Sequence, residues 1–344
     1  MRAWHEAEAF EGVVLVAREG ELVWQGGVGL ADRAGGAPNS PHATFPIASL
    51  TKQFTALLVM QQVERGRVEL DAPITKYLPW YRADTGARIS VRDLLTHSSG
   101  LPDTDIALYV NPDPRTTDAR WVVTEYGSGD LRYDPGTDFS YTNTDYHLLT
   151  ALLEEVSGEP YARLLRDEVL TPLGMERSGV APVPAVDLLA LDYVQDPETG
   201  WVRAPARRLE NWQGAGAMYS TLGDLHRWNQ ALTSGELIEP ETWRSMLQPR
   251  VDLPNGGNYV AIGSWVYPRR LPGSELTPTL IERRGAIGGY AVLNVIVKDA
   301  RAWVVVLANH YNENIHTLPY ASCLPLDLLL VLHDLEPEGP PAPT

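Results

Sequence analysis

Ser49 and Lys52 stand three residues apart in FPIASLTKQFTALLVMQQVERG, residues 45–66, where an apolar run with helical spacing begins. Residues three apart on a helix are neighbours, so a helix starting near residue 49 would set the ammonium against the hydroxyl. A serine hydroxyl is a poor nucleophile until a base takes its proton, and a lysine can serve once burial or nearby cations lower its pKa. Arginine cannot, because its guanidinium stays charged. The chain has 28 basic residues, of which only Lys52, Lys76 and Lys298 are lysines. A lysine kept at this place is what proton chemistry demands. A helix start also offers free backbone N–H groups and the positive end of the dipole, where an oxyanion could be held. On its own, Ser-x-x-Lys fits a helix cap beside a solvated lysine at least as well.

Positioning such a pair takes a scaffold, and the chain's texture supplies one. GVVLVAREGELVWQ (12–25) is two β-branched runs around Glu19 and Gly20, which reads as a hairpin. YAVLNVIVKDARAWVVVLAN (290–309) reads as a second, turning at Lys298 to Arg301. Between them DLLTHSSGLPD, TDYHLLTALLEEVSG and PYARLLRDEVLTPLGM show 3.6-type apolar spacing and end at Gly or Pro. STLGDLHRWNQALTSGEL (220–237) predicts another helix with Ser220 as N-cap, and LPLDLLLVLHDL a core-packed helix near the C-terminus. Strands at both ends with helices between predict an α/β (α+β) fold, an antiparallel sheet flanked by helices with an all-helical insertion. We place the sheet domain in 1–75 and 216–335, the helical domain in 76–215 and a flexible tail in 336–344. A cleft between sheet and helices is the natural pocket.

At 344 residues the chain can bury a large core, and its formal charge of -16 repels polyanions, which argues against nucleic acid and anionic membrane as partners. The single cysteine, Cys323, excludes an internal disulfide. The first residues lack a basic segment followed by an apolar one, so no signal peptide is expected and a cytoplasmic location is favoured. No apolar run approaches the roughly 20 residues of a membrane span. Oligomeric state is not legible.

Longer phrases narrow the reading. FPIASLTKQFTALLV, LDAPITKYLP, ISVRDLLTHSSGLPD, FSYTNTDYHLLTALLEEVSGEPYARLLRDEVLTPLGM, GAGAMYSTLGDLHRWNQAL and, more loosely, RRGAIGGY occur in this order. In these residues, across roughly 10–310, the chain resembles the penicillin-recognising serine hydrolases, which carry Ser-x-x-Lys. The resemblance is to the branch with class C β-lactamases, family VIII carboxylesterases, D-alanyl-D-alanine carboxypeptidases and D-aminopeptidases. It implies the β-lactamase/transpeptidase-like fold and an acyl-enzyme on Ser49. The family's Tyr-x-Asn occurs twice, as Tyr109 with Asn111 and as Tyr141 with Asn143. Context selects the second, which leads directly into a helical phrase. The resemblance then implies that Tyr141 shares a proton with Ser49 and Lys52, while Asn143 bonds Lys52 and the substrate.

The family's third element, Lys-Thr-Gly or His-x-Gly, corresponds here to Arg283, Arg284 and Gly285. Gly285 keeps the close backbone approach. Arg283 keeps a cation but cannot exchange a proton, so it serves either to polarise Tyr141 or to bind a substrate carboxylate, or activity is altered. By resemblance, the backbone N–H groups of Ser49 and Ala286 form the oxyanion hole. His97 in LLTHSSGLPD is expected to be structural, and there is neither a Gly-x-Ser-x-Gly elbow nor a His-Glu-x-x-His motif. No metal or organic cofactor is implied. The expectation is a serine hydrolase acting on a small ester, amide or peptide, an esterase or D-amino-acid peptidase more than a β-lactamase. The alternative is an impaired member that binds or scaffolds.

Overall fold

The computed structural model describes residues 1–7, 9–103, 113–184, 188–252, 259–311, 315, 316, 318 and 323–340. Its frame is an antiparallel sheet whose elements, in chain order, begin with the expected hairpin β1 (Gly12–Arg18) and β2 (Glu21–Val28). Helices α1 (Thr51–Glu64), α2 (Asn143–Ser157) and α3 (Leu222–Ser234) follow. Then come strands β3 (Val251–Asp252), β4 (Tyr259–Ala261), β5 (Ser264–Pro268), β6 (Thr279–Ile287), β7 (Tyr290–Val297) and β8 (Ala302–Ala308), and last helix α4 (Leu324–Leu332). Among the described residues the sheet has eight strands in the order β3-β4-β5-β6-β7-β8-β1-β2. The two hairpins therefore join within one sheet, where β1 pairs with β8.

The near-continuous apolar runs of β1, β7 and β8 follow from helices covering both faces of the sheet. Along β1, Val13, Leu15 and Ala17 enter one core while Val14 and Val16 enter the other, the period of two expected of a strand. The first core is shared with α1 and α3, the second with α4 and the N-terminal Trp4 and Phe10. The Asp327 that interrupts the apolar phrase of α4 accepts from Trp4 Nε1 at 2.8 Å and from the backbone N–H groups of Glu338 and Gly339 at 2.8 and 3.0 Å. It ties both ends of the described chain to the same core.

Helix α1 is the hub. Every residue from Thr51 to Gln62 is buried, as expected of a helix enclosed on all sides rather than lying on a surface. Phe54 stacks on Trp228 of α3 with ring centroids 3.8 Å apart, and Gln53 donates to Ser264 of β5 at 2.9 Å. Truncating either ring to alanine would cost roughly 3–5 kcal/mol. The helix is thus fixed both to its neighbour and to the sheet.

The helical insertion is present, with α2 at its centre, but two local expectations need correction. Thr221, not Ser220, caps α3, its side chain accepting from Asp224 N, while Ser220 belongs to a short strand, Met218–Ser220. The phrase PYARLLRDEVL is not one α-helix: Tyr161–Leu165 is α-helical and Arg166–Leu170 continues as a π-helical turn. Helix α2 keeps its signals, with Thr142 accepting from Thr144 N at the start and Gly158 at φ 74 ending it.

Candidate active site

Ser49 lies in a 3-10 turn, Ala48–Leu50, that runs directly into α1, so the α-helix begins two residues later than the spacing suggests. Ala48 has φ 46, a left-handed conformation that costs a non-glycine residue about 1–3 kcal/mol. Bonds from the Thr51 hydroxyl to Ala48 O at 2.6 Å, and from Met218 N to that hydroxyl at 3.1 Å, hold the turn. Strand β6 passes alongside. Its pairing with β5 stops at Glu282, and the edge left bare from Arg283 onward is occupied by the serine turn. A Cβ on Gly285 would fall 2.6 Å from Ile47 O and 2.7 Å from Ser49 N, so only glycine lets the strand come this close.

Lys52 is fully buried, and its ammonium has three acceptors: Ser49 Oγ at 3.2 Å, Asn143 Oδ1 at 2.6 Å and Ala215 O at 2.6 Å. Burial pushes its pKa below the usual lysine value; Tyr141 opposes the shift and Arg283 adds to it. The Tyr141 hydroxyl donates to Ser49 Oγ at 2.8 Å. Burial by itself would raise the phenol, but Lys52 and then Arg283, with hydrogen bonding to Lys52 and Ser49, bring it below its usual range. The serine oxygen thus sits between an amine and a phenol whose protons are both loosened.

Arg283 is 1% exposed. Its Nε donates to Ser49 O at 3.0 Å and its Nη2 to Tyr141 OH at 3.4 Å, while the guanidinium packs over the Trp265 ring at 4.6 Å. Of the two uses expected for this cation, the contacts match the polarisation of Tyr141. Ser49, Tyr141, Asn143 and Ala286 line one cavity of about 390 Å³. Its other walls include Trp212, Ile287 and Tyr311, which the sequence does not single out because they come from distant loops and strand ends. The competing Tyr109 and Asn111 lie outside the described residues.

Two further residues build the site from behind. His97, buried and at φ 56, accepts at its carbonyl from Ser140 N (3.0 Å) and at Nδ1 from Thr142 N (3.5 Å), and its ring lies 4.6 Å from that of Tyr141. It grips the backbone on either side of Tyr141. Burial, then Arg283 and Lys52, hold its pKa well below the usual histidine value, so it stays neutral. Asp103, unflagged by the sequence reading, accepts from Asn143 N at 2.9 Å and so orients the start of α2.

Set beside known proteins, residues 3–317 match the family model described as Beta-lactamase. The D-alanyl-D-alanine-carboxypeptidase/endopeptidase AmpH of Escherichia coli (strain K12) is 28% identical over 285 residues, covering 76% of this chain and 70% of that protein. Esterase EstB of Burkholderia gladioli is 29% identical over 275 residues, covering 70% of each. Among solved structures, the octameric penicillin-binding protein homologue from Pyrococcus abyssi superposes with a TM-score of 0.83 at 25% identity, covering 98% of this chain and 76% of that one. With one family model running across most of its length, this chain belongs to the Beta-lactamase family and is a serine hydrolase of that type.

Proposed function

We propose that the chain hydrolyses small esters and amides through an acyl-enzyme formed on Ser49. The observation that carries this reading is the placement of one serine oxygen 3.2 Å from Lys52 Nζ and 2.8 Å from Tyr141 OH at the wall of a cavity. Ser49 Oγ attacks the carbonyl carbon while its proton passes to the Tyr141 oxygen, whose anionic form Lys52 and Arg283 stabilise. The tetrahedral oxyanion is held by the N–H groups of Ser49 and Ala286. Its collapse expels the alcohol or amine, which takes back the proton. Water, deprotonated by the same pair, then cleaves the ester to Ser49 and releases the acid.

Esterase and D-amino-acid amidase or peptidase activity is favoured over β-lactamase activity, because Arg283 stands where Lys-Thr-Gly would begin. The name of the esterase relative supports this range. A panel of p-nitrophenyl esters, D-alanine amides and nitrocefin tests it. Turnover of esters or amides that disappears in Ser49→Ala is the expected result; saturable binding without turnover would favour the scaffold alternative.

A further inference from the structure

We infer that the cleft selects esters and amides bearing no carboxylate beside the scissile bond, and accepts neutral or amino-bearing ones. This rests on the hydrolase reading above and concerns the charge of its substrate.

A carboxylate brought into a cleft loses hydration and needs a cation or several donors in return. The described cations near Ser49 already contact protein acceptors. Lys52 is fully buried, with three acceptors on its ammonium. Arg283 is turned toward Ser49 O and Tyr141. Arg284 reaches Glu282 Oε1 at 2.5 Å and His316 O at 2.6 Å. Arg207, against Gly288 at the cavity wall, donates to Asp192 Oδ2 at 2.6 Å, Ile287 O at 3.4 Å and Pro205 O at 3.0 Å. Among the described residues lining the cavity there is no Lys, Arg or His.

The charges of Lys52 and Arg283 are partly offset. Asp103, an exposed carboxylate bonded to Asn143 N, is close enough to act on Lys52. An incoming anion therefore meets a weakened attraction, inside a molecule of formal charge -16. A neutral amide or an ammonium has no such deficit, and the faces of Trp212 and Tyr311 suit apolar or cationic groups.

The test uses two aryl esters alike except in charge, 3-acetoxybenzamide and 3-acetoxybenzoate, with p-nitrophenyl acetate as reference. We expect kcat/KM for the amide-bearing ester to exceed that for the carboxylate by about tenfold or more. The same ranking is expected when the two compounds are measured as inhibitors of p-nitrophenyl acetate turnover, which reads binding even if neither is cleaved quickly. Equal values, or a preference for the benzoate, would overturn the inference and leave the hydrolase reading intact. Absence of any Ser49-dependent turnover of p-nitrophenyl acetate would instead strike the hydrolase reading itself.

Discussion

Two clusters of buried ionisable groups meet helix α2, and they handle charge in opposite ways. At the start of the helix Asn143 accepts from Lys52, next to Tyr141 and Arg283, and every ammonium proton of Lys52 has an acceptor. Further along, Asp145 and His147 lie with His97 among groups left partly unsatisfied. Asp145 Oδ2, His97 Nε2 and both ring nitrogens of His147 have no hydrogen-bond partner among the described residues. Burial drives Asp145 well above the usual carboxylate range, even though Ser99 donates to it at 2.5 Å, and it lowers His147 to about 3. In the first cluster hydrogen bonds to Lys52 and Arg283 compensate for burial, whereas in the second desolvation outweighs the Ser99 hydrogen bond and the His97 ring nitrogen 3.5 Å from Asp145 Oδ2. Burial alone does not make a catalytic group; a matched partner and an open wall do.

That contrast can be broken at several points. Lys52→Arg keeps the charge and removes the exchangeable proton, so kcat should fall by about a thousandfold or more, measured on p-nitrophenyl esters with the fold checked by circular dichroism. A variant near wild-type rate would mean that Lys52 is only a counter-ion. Arg283→Gln removes a cation that lowers the pKa of both Tyr141 and Lys52. Its kcat/KM should drop by about tenfold or more, and the rising limb of the pH profile should move to higher pH, with Arg283→Lys partly restoring both. A loss of rate without movement of the limb would assign Arg283 a packing role.

The smallest effect is expected in the neutral cluster. Asp145 has a folded pKa above its unfolded one, so the native state binds the extra proton. Its contribution to stability is best below the unfolded pKa, near about 4, and declines as pH rises toward the folded value. Asp145→Asn imitates the protonated acid. It should change stability by less than about 1 kcal/mol at low pH and melt at or above the wild-type temperature at neutral pH. Marked destabilisation at neutral pH would show that Asp145 is held ionised.

Much of this was readable from the chain itself. Ser49 and Lys52 were legible because helical spacing is local, and hydrogen bonds join them to Tyr141 and Asn143 from a phrase 92 residues further on. The hairpins β1–β2 and β7–β8 were legible because apolar runs flank short turns, and the longest runs, β1, β7 and β8, are buried while β2 is not. Strands β4 to β6 were not, since GSWVYPRR and TLIERRGAI mix charge with apolar residues and owe their place to a ladder in which β4 pairs with β5, β5 with β6 and β6 with β7. Nor could the sequence reveal that Ala215 O receives a Lys52 proton, or where the donors of Arg283 point. Those contacts join segments far apart in the chain, and only the packed fold decides them.

The central claim is that Ser49 is made nucleophilic by the groups packed around it, and covalent capture measures this most directly. A fluorophosphonate probe followed by peptide mapping should place a single adduct on Ser49, absent from Ser49→Ala and strongly slowed in Lys52→Arg. An adduct on another residue, or equal labelling of wild type and Ser49→Ala, would contradict the account.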